Sequence, residues 1–72
     1  MAEKPLAARV LDTLIRDKRT KRIPVDVTAI GAQITLTGTV PTAKDKLLVE
    51  EVARSVAGVA GVINEIRVGR TG

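Results

Sequence analysis

Seven residues, Arg16-Asp17-Lys18-Arg19-Thr20-Lys21-Arg22, carry five cations and one carboxylate. Such a run makes and breaks no bonds. Its ammonium and guanidinium groups attract phosphates and carboxylates. Each Lys or Arg held close to an anionic membrane contributes about 1 kcal/mol, and salt weakens the attraction. The run therefore reads as a surface for anionic phospholipid, with Arg16, Lys18, Arg19, Lys21 and Arg22 as its contacts. The plainer reading is a solvated helix end, whose cations suit the negative end of the backbone dipole. The chain has no Trp, Tyr or Phe, so a membrane contact is expected to be electrostatic and peripheral.

Gly58-Val59-Ala60-Gly61 is a second candidate. A GxxG loop clamps nucleic-acid backbone where it joins two helices. Here it leads from an expected helix into an expected strand, and no aromatic stacking platform accompanies it. Nucleic acid is therefore not the expected partner. Carbonyls of the same loop are the kind of oxygen ligand a potassium ion takes, so an ion-sensing loop stands beside the plain helix stop and turn. Asn64 falls on the core side of an expected strand, where an unpaired amide costs about 1–3 kcal/mol. Its expected role is to pin a neighbouring loop, residues 58–61 being the candidate; a ligand contact is the alternative. Catalysis finds no support: the eight carboxylates are scattered, His and Cys are absent, and Ser55 has no base to activate it. No catalytic residue, metal or cofactor is expected.

The elements that must position these groups fit one domain of 72 residues, with a core over residues 5–68 and a flexible tail over 69–72. Without Cys or His the chain has neither disulfides nor the usual transition-metal ligands. Its stability must come from aliphatic packing, a partner chain or a neighbouring domain. The net charge of +4 is uneven: residues 1–22 hold seven cations against three acids, and the remainder balances at five and five. No apolar run is long enough to span a membrane, and no signal peptide is visible. As written the chain is expected in the cytoplasm, or in the periplasm or envelope if it is an excised domain.

Leu6, Ala7, Val10, Leu11, Leu14 and Ile15 recur at helical spacing, predicting a first helix over about residues 5–18 with Pro5 in its first turn. Val25, Val27 and Ala29 alternate with Asp26 and Thr28, predicting a strand over 23–29; Pro24 marks it as an edge. Residues 30–32 close a hairpin, with Gly31 free to take positive φ. Residues 33–40 alternate strictly and predict a second strand. Gly38 within it is best explained by a helix packing closely across the sheet. Thr42 is placed to cap a second helix with Asp45 three residues on. Leu48, Val49, Val52, Ala53 and Val56 form its apolar stripe, Lys46 and Glu50 pair on its outer side, and Gly58 ends it. Residues 62–68 form a third strand.

The order predicts an α+β fold, αββαβ, with a three-stranded mixed sheet and two helices packed on one face. A right-handed crossover joins strands two and three. Sheet order 1-2-3 is expected, with 2-1-3 as the alternative. The other face shows Asp26, Thr28, Thr35, Thr37, Thr39, Glu65 and Arg67, with Ile63 its lone apolar residue. That face, or the outer edge of strand three, is a candidate surface for a protein partner or a second copy.

These residues resemble the BON domain family over residues 25–68. The resemblance rests on Val25-x-Val27, Gly31-x-x-Ile34-x-Leu36-x-Gly38-x-Val40, Ala53-x-x-Val56, Gly58-Val59, and Val62, Asn64, Ile66 and Val68. It implies the same αββαβ fold and a role at phospholipid surfaces in osmotic or envelope stress, with potassium binding in some members. Many members are exported and carry two copies, whereas this chain shows one.

Overall fold

Three prolines mark three boundaries. The computed structural model describes residues 4–69. Its elements run α1 (Leu6–Arg16), β1 (Val25–Ile30), β2 (Gln33–Val40), α2 (Ala43–Arg54), β3 (Gly61–Asn64) and β4 (Arg67–Val68). Pro5 is the N-cap of α1, Pro24 directly precedes β1, and Pro41 directly follows β2. Each stands where a missing N–H leaves no ladder or helix bond unmade. The expected flexible tail, beyond Gly69, lies outside the described residues. Gly69 itself donates its N–H to Val40 O at 2.9 Å, so it continues the sheet.

Both helices end earlier than periodicity predicts. α1 stops at Arg16 because Asp17 is extended, and the Asp17 carboxylate accepts the Arg19 N–H at 2.9 Å. A side chain that engages nearby backbone competes with the helix in this way. α2 begins as expected, with Thr42 Oγ1 accepting the Asp45 N–H at 3.1 Å. It ends at Arg54, not at Gly58. The Ser55 hydroxyl and N–H both turn back to Val52 O. Gly58 lies in a separate turn closed by Val59 N–H to Val56 O, with φ +96°.

The sheet has the order β1-β2-β3, β1 antiparallel and β3 parallel to β2, and both helices pack against one face. Val10 and Leu14 of α1, Ile34, Leu36 and Val40 of β2, Val49, Val52 and Ala53 of α2, and Ile66 form the buried core. Two expectations need correction. Leu11 and Ile15 of the α1 stripe are exposed, at 40% and 55%. Ile30 belongs to β1 and is 83% exposed on the open face, so Ile63 is not the lone apolar residue there.

Gly38 is also corrected. What lies against it is the start of β1: a Cβ there would meet Pro24 O at 3.0 Å and the Val25 Cα at 3.4 Å. No helix atom is among these neighbours. Its φ of +138° turns the chain where an L side chain is strained. Opposite Gly38 the third strand is interrupted. β3 and β4 keep one register on β2, Gln33 to Gly61 and Val40 to Val68, but residues 65–66 leave the ladder.

Asn64 repairs the interruption. Its Oδ1 accepts the Ile66 N–H at 3.1 Å, and its Nδ2 donates to Lys46 O at 3.0 Å and Glu50 Oε1 at 3.1 Å. Asn64 therefore pins β3 to α2, and not to the loop over residues 58–61. Glu50 is turned toward this amide and pairs with Arg54 at 2.8 Å, so the expected Lys46–Glu50 pair is replaced. Gly38→Ala should lower stability by about 1–3 kcal/mol, a fall of roughly 4–8 °C in Tm per kcal/mol for a domain of this size. Thermal unfolding followed by circular dichroism measures it; an unchanged Tm would refute the close approach.

Candidate functional site

Of the cations at 16–22, Arg16 ends α1 and the other four project from a turn built at its C-terminus. Asp17 O accepts the N–H groups of Thr20 at 3.1 Å and Lys21 at 2.8 Å, and Thr20 O accepts that of Ile23 at 2.9 Å. Thr20 is turned inward. It is 1% exposed, and its hydroxyl donates to Leu14 O at 2.6 Å. A helix leaves its last carbonyls without helical partners, and this hydroxyl satisfies one of them. With Thr20 facing in, Lys18, Arg19, Lys21 and Arg22 face out, all exposed.

The five cations are not equivalent. Arg16 Nη2 lies 3.5 Å from Asp12 Oδ2, which Lys4 Nζ also approaches at 3.2 Å. Arg19 folds back on Asp17 through two side-chain hydrogen bonds of 3.0 Å. The Arg19 side chain, with its N–H, holds the Asp17 carboxyl below the usual carboxylate range, and Asp17 raises the Arg19 guanidinium in return. Lys18, Lys21 and Arg22 make no ion pair among the described residues. Lys21 and Arg22 border a groove between α1 and β1, lined by Leu11, Ile15, Ile23 and Pro24.

The glycine positions lie apart from this corner. Gly31, φ +62°, is the first residue of the two-residue β1–β2 turn, the type II′ position. Gly61 opens β3, and Val59 packs at the margin of the core. A Cβ on Gly58 would meet Arg9 Nη2 at 3.2 Å. A guanidinium against that loop is an unfavourable surrounding for a potassium ion. Among the described residues no cluster of three or more acidic, His or Cys side chains could hold a metal, and no helix is long and apolar enough to cross a membrane.

Sequence reasoning missed Thr20. Its available signal was being the one uncharged residue of the basic run. It also missed that Asp12 and Asp17 would each take a cation, which spacing permits and does not require.

A model of the BON domain family matches residues 2–70. The chain belongs to the BON domain family. No curated protein matches it. BON domains are non-catalytic binding modules, commonly associated with membranes or phospholipid. Gly31 and Gly58 of the resemblance occupy turns, Gly38 lies in a strand, and its apolar residues other than Val68 pack in or against the core of this BON domain. They account for its shape and leave its ligand to the surface.

Thr20→Val keeps the side-chain volume and leaves Leu14 O without its hydroxyl. Stability should fall by about 1–3 kcal/mol, and amide exchange over residues 18–22 should accelerate beyond that of the core. Equal acceleration everywhere would show that the turn has no separate anchor. The Asp17–Arg19 pair is open to water and carries a pH signature. Because the Asp17 pKa is lowered by folding, the stabilisation is complete above the unfolded carboxylate pKa and is lost as pH falls through the lowered value. The Asp17 carboxyl resonance should titrate below that of an unfolded Asp; titration at or above it would refute the pair.

Proposed function

We propose that this BON domain binds anionic phospholipid surfaces peripherally, with Lys18, Lys21 and Arg22 as the principal contacts. The observation that supports this is one anchored turn presenting three cations that no carboxylate of the described residues neutralises. Arg16 and Arg19 share the same surface, but each must leave an acidic partner before it meets a phosphate. Their contribution is accordingly smaller. At about 1 kcal/mol each near an anionic membrane, three free cations supply about 3 kcal/mol at low salt. That is roughly two decades in affinity. It describes reversible association that physiological salt weakens. Hydrogen bonds hold the backbone of the turn before binding, so the ordering entropy lost on contact is that of the side chains.

Sedimentation with liposomes tests the proposal. Vesicles of phosphatidylcholine with phosphatidylglycerol should bind the domain at low salt, and vesicles of phosphatidylcholine alone should not. Replacing Lys18, Lys21 and Arg22 together by Gln should lower binding by about a hundredfold at low salt and leave the circular dichroism unchanged. Replacing Arg16 and Arg19 by Gln should lower it less. Equal binding to charged and neutral vesicles, or a larger loss from the Arg16/Arg19 pair, would overturn the assignment.

A further inference from the structure

Three of the six large exposed aliphatic side chains among the described residues lie along one edge; Leu47, Ile63 and Val68 lie elsewhere. Leu11 and Ile15 overhang the outer side of β1 from α1, and Ile30 stands at its end, 40%, 55% and 83% exposed. β1 has no second strand partner among the described residues. Its backbone has a definite polarity. Leu36 O accepts the Glu65 N–H, so the even-numbered residues of β2 turn toward β3 and the odd-numbered ones toward β1. Asp26, Thr28 and Ile30 pair with Thr37, Thr35 and Gln33. The N–H and C=O groups of Val25, Val27 and Ala29 therefore point outward.

The opposite edge is guarded. There the Ile66 N–H is taken by Asn64, the ladder is broken at residues 65–66, and Glu65 and Arg67 flank the break. Interruptions and charges of this kind discourage strand addition. The β1 edge is uninterrupted and carries a single charge, Asp26: it has six consecutive residues and three outward pairs of backbone groups.

We propose that two copies of this chain pair antiparallel through the outer edges of β1, Val27 facing Val27 of the second copy. Three registers keep outward-facing residues opposite one another. Centring on residue 26 sets Asp26 against its own copy, like charges at the closest side-chain spacing. Centring on residue 28 loses the Val25 pair. Centring on Val27 uses all three outward residues, Val25 against Ala29 of the second copy and the reverse. It also sets Ile30 level with Pro24 of the second copy, covering the most exposed aliphatic side chain. Because both α1 helices lie on one face of the joined sheet, Leu11 and Ile15 of each copy meet over the seam. The interface is isologous and closed, so it yields a dimer and no filament. The two cationic turns stand at opposite ends of the seam, where they do not oppose each other.

Sedimentation equilibrium of the full chain over a micromolar to millimolar series, with amide exchange by NMR at both ends, tests this. A concentration-dependent dimer is expected, in which the Val25, Val27 and Ala29 amides are protected and lose protection on dilution. Ile15→Lys should weaken dimerisation about tenfold or more, with unchanged circular dichroism. Ile30→Lys, at a position exposed in the single chain, gives the same readout if Ile15→Lys fails to fold. A chain that stays monomeric at millimolar concentration would overturn the proposal. So would a dimer whose Val27 amide exchanges as fast as in the monomer, since that dimer would use another surface. Neither variant touches Lys18, Lys21 or Arg22, so loss of lipid binding and loss of dimerisation are separable.

Discussion

A hydroxyl to carbonyl hydrogen bond of 2.6 Å, from Thr20 to Leu14, decides which way the cationic turn faces. α1 ends at Arg16, and the chain must then reverse to reach β1 at Val25. Among seven residues rich in charge, only Thr20 can enter the core margin without carrying a charge there. Its burial is tolerable because its polar atom is satisfied, and its partner is a carbonyl the helix itself cannot satisfy. Packing and presentation thus come from one contact. The inward threonine leaves its charged neighbours no direction but outward, and Asp17 tightens the same turn by taking the Arg19 N–H.

A second constraint sits on the central strand. Gly38 allows the start of β1 to approach closely, and its positive φ turns the chain where β2 meets the third strand. The ladder lapses there, leaving the Ile66 N–H without a strand partner. Asn64 takes that N–H and holds α2 through Lys46 O and Glu50, while Glu50 also pairs with Arg54. One amide thereby closes the defect that one glycine opens. The same arrangement keeps Ile66, 1% exposed, in the core between the two interrupted pieces of strand.

What the sequence made legible follows from periodicity, capping residues and the placement of Pro24. The second strand at residues 33–40, the Thr42 cap, the 1-2-3 order and the edge position of β1 all stand in the structure as read. Alternation and capping are local, so one chain suffices to see them. The errors share a different physical origin. Gly38, Asn64, Glu50 and Thr20 each act across a sequence gap, on Pro24, Lys46, Asn64 and Leu14 respectively. Their residue types announced that something was required, a close approach or a satisfied amide, but not which partner would supply it. Leu11 and Ile15 show the complementary limit. Helical spacing places them on the apolar stripe, yet the sheet under α1 ends at β1, and nothing in a single helix reveals how far the sheet beneath it extends.

That shortfall bears on how so small a chain is stabilised. Nine buried apolar side chains among the described residues, with no aromatic, disulfide or metal site among them, make a modest core. A domain of this length leaves a large share of its apolar surface in water. Among the described residues Leu11, Ile15 and Ile30 leave aliphatic surface exposed along one edge, while Leu47, Ile63 and Val68 expose it elsewhere. A ligand or partner that binds only the folded state adds its binding free energy to stability. The cationic turn adjoins the same groove through Lys21 and Arg22. Its charges resist close approach of another basic surface, while α1 leaves the apolar strip beside them uncovered. Charge therefore stands at one end of the strand and aliphatic side chains lie beside it, two adjacent patches of different chemistry.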